Sequence, residues 1–303
     1  MSFISLESSN QDLLSLQSSD NDKCITGPPP LPYNLREHKK SIAVQWSIIV
    51  FVSCVFQIVL FYALWFGTNI DHHTVFTITQ VILGIFAIQG WAVRLWRLLK
   101  KNTTATPLGS FRRYLDFFQL SFLGGFVIST LELVIGSLPE KPNLRLMAMP
   151  ASSLLFYVGA QLLLVTLLHM GGYPSPARLS SMSKGSVFRP GLYILIEDIV
   201  AVDGGGGVAY RKALNARYEA SPMFGRLLLH LSMFWSVGAL ATAIIVTILV
   251  YTINEGVAYG IGWGIPFIWA GLWSIITVKW TQTALAREEK WFRRDAPGRN
   301  DSV

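Results

Sequence analysis

Hydrophobic and polar positions along this chain fall into long blocks, not short alternations. Six stretches are apolar over roughly the twenty residues that a helix needs to cross a bilayer core: Ile42–Phe66, Thr74–Val93, Leu115–Leu138, Met149–His169, Leu227–Ile253 and Val257–Val278. None alternates apolar with polar at a period of two, which excludes a β-barrel. In hydrocarbon each backbone amide must find its partner within its own segment. The pattern therefore predicts an all-α, polytopic membrane bundle of six transmembrane helices.

The polar positions between the blocks set the orientation. Of the 25 Lys and Arg residues, 23 fall in the N-terminal stretch, the second and fourth connections and the C-terminal end. The remaining two, Lys141 and Arg145, lie in the third connection. Cytoplasmic loops retain cations, so both termini and the long fourth connection, residues 171–225, are predicted to be cytoplasmic. Residues 1–40 are polar and then proline-rich ("GPPPLP", Gly27–Pro32), which predicts a disordered tail with a stiff linker. Residues 41–280 form the membrane domain and 281–303 a C-terminal tail. "NTT" at Asn102 and "NDS" at Asn300 match glycosylation acceptors but fall on the predicted cytoplasmic side, so both are read as chance matches.

Composition agrees with a membrane protein: 51% hydrophobic, 14% charged and mean hydropathy +0.43. A net charge of +7 raises the question of nucleic acid, but the cations flank apolar blocks and form no separate patch with interleaved aromatics, so none is expected. The partner is the lipid bilayer. Cys24 and Cys54 sit in unlike surroundings, which argues against a disulfide framework or a cysteine metal site.

The fourth connection carries the most unusual stretch, "YILIEDIVAVDGGGGVAYRK", Tyr193–Lys212. Pro190 suits the first turn of a short apolar helix that holds Glu197, Asp198 and Asp203. Gly204 to Gly207 break it and permit positive φ, which predicts a hinge that folds a second helix back on the first. The second helix, Val208–Ala220, reads as basic and amphipathic, suited to an anionic leaflet. Ser221 caps the fifth span, with Pro222 at its first position. The glycine run lacks both the Lys-Ser/Thr of a phosphate loop and the spacing of a dinucleotide fingerprint. On a helix Glu197 and Asp198 point about 100° apart, so they make a poor metal clamp and are expected to pair with Arg94, Arg97, Arg112 and Arg211.

Asp116, His169 and His230 lie at the same predicted depth. With Glu197, Asp198 and Asp203 they form a candidate catalytic set able to move protons on an amphiphile entering from the leaflet. Two histidines can also hold a metal or a haem, but a two-haem arrangement needs four paired at two depths, and His72-His73 share one connection, so no metal and no cofactor is assigned. Within the apolar blocks, Glu132, Gln57, Gln80 and Gln161 are costly in hydrocarbon, so they face the bundle interior or serve a function; Glu132 is expected to be neutral and bonded to a glutamine, with a proton or substrate site facing the outer side as the alternative. Gly256, Gly260 and Gly264 recur every four residues and allow close helix packing, in the bundle or in a dimer; Pro266 predicts a kink.

The run "RPGLYILIEDIVAVDGGGGVAYRKALNARYEASPMF", Arg189–Phe224, with "GIGWGIPFIWAGLW" in the last block, resembles a family of uncharacterised multi-pass proteins of filamentous fungi. Some members of such families sit in gene clusters for secondary metabolites. The resemblance implies an endomembrane protein, in the endoplasmic reticulum or a related compartment, and brings no activity with it. The expected function is binding or handling of a lipophilic small molecule at the cytoplasmic leaflet, as an accessory in a metabolite pathway. The alternatives are an acid–base enzyme of cyclase or isomerase type, and a transporter.

Overall fold

The structure is a computed structural model that describes residues 27–32, 43–44, 47–48, 50–69, 71–100, 103, 105–110 and 114–295. The expectations for residues 1–26 and 33–40, Asn102, Arg112 and Asn300 lie outside the described residues. The regular structure of the described residues is helical, with two isolated β-bridges in the loop 171–190.

One π-helical turn, Phe51–Val55, leads into α1, Phe56–Gly67. Then come α2 (His72–Leu99), α3 (Phe117–Ser137), the single turn α4 (Leu144–Met147) and α5 (Pro150–Met170). After the loop stand α6 (Gly191–Val202), α7 (Gly207–Ala220), α8 (Pro222–Thr252) and α9 (Glu255–Asp295). Five of these, α2, α3, α5, α8 and α9, are long and apolar enough to cross a membrane. The sequence pattern predicts six. In the first block the continuous described helix, Phe51–Gly67, is apolar but shorter than the about 20 residues a span requires.

Local chemistry sets the helix starts. Asp71 accepts from His73 N at 3.1 Å, Asp116 from Gln119 N at 2.8 Å and Ser221 from Phe224 N at 3.2 Å, each satisfying an amide that the first turn leaves open. Pro150 and Pro222 stand in first turns, as expected for Pro222. Pro190 is instead the residue before α6, with ψ 142, so it caps the helix from outside. The last helix also departs from expectation. The apolar block ends at Val278, yet α9 continues to Asp295 and gives the segment read as a tail a helical start.

Two cores hold the bundle. At one end Phe61 stacks on Tyr259 with ring centroids 3.9 Å apart and on Phe76 at 5.5 Å, among Met147, Val246 and Trp263. At the other end Tyr193, Ile194, Tyr210 and Leu214 of α6 and α7 pack on Val165, Phe224 and Leu228. The glycine stripe of α9 is used inside the chain. The Gly256 carbonyl accepts from Tyr62 Oη at 2.6 Å, and a Cβ on Gly260 would stand 2.8 Å from the same hydroxyl. Trp263 is buried and donates to the Met147 carbonyl at 3.2 Å, a contact between helices.

The tightest approach is at Gly262, where a Cβ would lie 2.1 Å from the Ala148 carbonyl oxygen. Backbone cannot swing aside as a side chain can, so Gly262→Ala should destabilise the bundle by about 1–3 kcal/mol. Gly271→Ala, which meets open space, should not. Thermal midpoints of the two purified variants against wild type test the pair.

Candidate functional site

The buried face of α6 carries Gly191, Tyr193, Ile194, Glu197, Asp198, Ala201 and Val202, a helical stripe in which two carboxylates take positions otherwise apolar. Ionised carboxylates out of water need a cation or hydrogen-bond donors. The glycine tract brings the cation. Gly205 and Gly207 take φ of +73° and +56°, the left-handed region open to glycine, and α7 folds back along α6 as the sequence predicts. Arg211 then faces the stripe. Its guanidinium donates to Glu197 Oε1 at 3.0 Å, Asp198 Oδ1 at 2.7 Å and the Ala105 carbonyl at 3.2 Å.

A second arginine extends the set. Arg94 of α2 donates to Asp116 Oδ2 at 2.6 Å, to Asp203 Oδ2 and to the Asp198 carbonyl at 3.3 Å, and its guanidinium lies 4.5 Å from the Phe118 ring centre. Arg97 stands 3.8 Å from Asp203. The other oxygen of Asp198 accepts from Ser180 Oγ at 2.5 Å and Phe118 N at 3.2 Å. Ser180 also accepts from Phe117 N at 2.9 Å and holds a left-handed φ of 48°. The result is a clasp tying α2, α3, the loop, α6 and α7 into one end of the bundle.

The expected pairing of these carboxylates with Arg94, Arg97 and Arg211 is what the structure has. The basic residues of α7 do not all share one exposed face, however. Arg211 is fully buried and Arg217 mostly so, its guanidinium donating to Glu288 Oε2 at 2.5 Å, so these two basic side chains tie α7 to the bundle instead of lining its exposed face. Lys212 keeps to its exposed face.

Asp116, Glu197, Asp198 and Asp203 converge, but the two histidines do not bond to them among the described residues. His169 Nδ1 meets the Phe188 carbonyl at 2.6 Å, tying α5 to the loop. His230 lines a cavity elsewhere. The membrane-depth polar groups are each engaged separately. Gln57 donates to Tyr259 Oη at 3.1 Å, Gln80 to the Leu133 carbonyl at 3.5 Å, and Gln161 accepts from Ser121. Glu132 accepts from Ser153, a serine in place of the expected glutamine, because α5 brings its small polar face to α3. Among the described residues no group of three or more His, Cys, Asp or Glu side chains is arranged to hold a metal ion.

Burial dominates the protonation of the clasp. It lifts Asp116 from an ordinary 3.8 to about 7, reinforced by Asp198 and opposed by Arg94 and Arg211. Burial likewise raises Glu197 against Arg211, and Asp203 against Arg94 and Arg97. For Arg211 burial pulls the other way, but Asp198 and Glu197 outweigh it and hold the guanidinium firmly charged.

The cavity at His230 is the feature that sequence reading missed. It has a volume of about 250 Å³ and lies between the start of α8 and the far part of α9, with Met223, Leu227, Trp280 and Ala284 as apolar lining and Arg226, His230, Arg287 and Glu288 as polar lining. Its signal was present. Trp280, Ala284 and Arg287 recur at helical spacing, but only if α9 is carried beyond its apolar block.

A family model described as a domain of unknown function (DUF8766) matches residues 16–292. The chain belongs to that family. The match spans the clasp, the cavity and every span. No curated protein and no solved structure matches the chain.

Removing one partner from a buried ion pair strands the other charge, a loss of about 3–5 kcal/mol. Arg211→Met should therefore strongly lower the thermal midpoint, and adding Glu197→Met and Asp198→Leu to it should recover a large part. For pH the sign follows from Asp116. Its folded value lies above its ordinary one, so its contribution is fully present below about 4 and is lost as pH rises through about 7. Midpoints measured across that window should fall with rising pH, and Asp116→Asn should reduce the slope.

Proposed function

We propose that this chain is a six-span endomembrane protein that binds a lipophilic small molecule at the cytoplasmic leaflet, serving as an accessory in a fungal metabolite pathway. Both termini and residues 171–225 face the cytoplasm in this reading. Two things support that orientation. The Lys and Arg residues crowd one set of connections, and the clasp draws those connections to one end of the bundle. The observation that carries the binding reading is the cavity between α8 and α9. It lies at the charged end, where two apolar helices acquire polar residues, and its lining is part apolar and part basic. An amphiphile resting in the leaflet matches both surfaces.

The clasp serves this reading as scaffold. Arg217 and Glu288 join α7 to α9 beside the cavity, so the strut that Arg211 anchors also positions the cavity wall. The acid–base enzyme reading draws less support, because Asp116, Glu197, Asp198 and Asp203 are already bonded to arginines.

Solvent extraction of the purified full chain, followed by mass spectrometry, tests the reading. Wild type should carry a stoichiometric lipophile. Ala284→Trp, which fills the cavity, should lose most of it, and Ile268→Trp, on an exposed face of α9, should keep it. Identical extracts from wild type and Ala284→Trp would overturn the assignment.

A further inference from the structure

The charges around this cavity are unevenly matched. Arg226 and His230 stand one turn apart on α8, and Arg287 faces them from α9. All three are exposed, and among the described residues neither arginine has a hydrogen-bond or ion-pair partner. The cavity's carboxylate does not neutralise them. Glu288 Oε2 is taken by Arg217 at 2.5 Å, and that guanidinium is further held 5.1 Å from the Phe224 ring centre. The second oxygen, Glu288 Oε1, is buried with no donor, in a residue only 1% exposed.

These features ask for a ligand with two parts. Two free guanidiniums suit a phosphate, which they can grip with paired N–H donors. A buried carboxylate oxygen without a donor is costly, and an N–H or O–H group supplied by the ligand relieves that cost once a small shift of the side chain opens Glu288 Oε1 to the cavity. Met223, Leu227 and Trp280 add apolar lining to the same cavity. We infer that the cavity is a binding site for a phosphate-bearing headgroup that also carries a hydrogen-bond donor, the phosphate held by Arg226 and Arg287 and the donor by Glu288. This inference rests on the proposed function and names the ligand chemistry of the same site. His230 adds a ring nitrogen at the rim. The shared chemistry belongs to a phospholipid such as phosphatidylethanolamine and to a free phosphorylated amine or alcohol.

Native mass spectrometry of the full chain in detergent, titrated with defined lipids, tests it. Phosphatidylethanolamine should bind at one saturable site about tenfold more tightly than phosphatidylcholine, which has the phosphate but no N–H or O–H donor. The double variant Arg226→Gln with Arg287→Gln should weaken phosphatidylethanolamine binding about tenfold or more. Both positions are exposed, so the thermal midpoint should not move. Arg293→Gln removes an exposed cation of α9 that pairs with Glu289 away from the cavity, and should leave binding unchanged. Equal binding of the two lipids would overturn the donor half. An equal loss from Arg293→Gln would replace the site with diffuse attraction to basic residues and overturn the phosphate half. Free phosphoethanolamine is the arm that separates the sources: displacement of the lipid at comparable concentration supports a soluble phosphorylated ligand, and failure to displace it supports the lipid. The two readings fail differently. A lipophile lost in Ala284→Trp but kept in the double arginine variant overturns only the headgroup inference. One kept in both overturns the cavity assignment as well.

Discussion

Arg211 is the constraint on which the charged end of this protein is built. Its guanidinium is fully buried, and it is there because α6 turns Glu197 and Asp198 inward. Neither side of that pair is stable in the interior without the other. The pairing requires α7 to return along α6, and the return requires left-handed backbone at Gly205 and Gly207. Once α7 is set, Arg217 reaches Glu288 and fixes the far part of α9 against the start of α8. A charge buried in a loop segment thus determines the walls of a cavity on the other side of the same strut.

The clasp has more acid than base. Four carboxylates, Asp116, Glu197, Asp198 and Asp203, face two buried guanidiniums, with Arg97 at the rim. Burial, reinforced by neighbouring Asp198, is why Asp116 is raised to about 7. The cavity shows the opposite imbalance, two exposed arginines beside a carboxylate that is already committed to Arg217. The division suits the two roles. A network of buried ion pairs holds helices in place, and exposed cations without a partner remain available to something outside the chain.

The membrane part is simpler in its physics. Its polar side chains bond locally, Gln57 to Tyr259 and Glu132 to Ser153, which answers the cost of polarity in hydrocarbon without a shared site. The glycines of α9 admit α1 and the α4 turn to its backbone, with Tyr62 against Gly260 and Ala148 against Gly262. Stacked aromatics around Phe61 then close the end remote from the clasp.

The helical, membrane-embedded class and most of the span positions follow from the sequence, because a bilayer leaves a helix few alternatives and apolar length is additive along the chain. The same holds for the caps at Asp116 and Ser221 and for the break at Gly204–Gly207, which depend on a few neighbouring residues. Pairing of the acidic residues with Arg94 and Arg211 was also legible, since a buried carboxylate must find a cation and few were near. Tertiary structure alone decided that Arg217 reaches Glu288, that Ser153 serves Glu132, and that His169 and His230 part company. It also decided that α9 runs past its apolar block to build a cavity with α8. Each of those depends on which distant helix stands opposite, and periodicity along one segment carries no information about the partner across the gap.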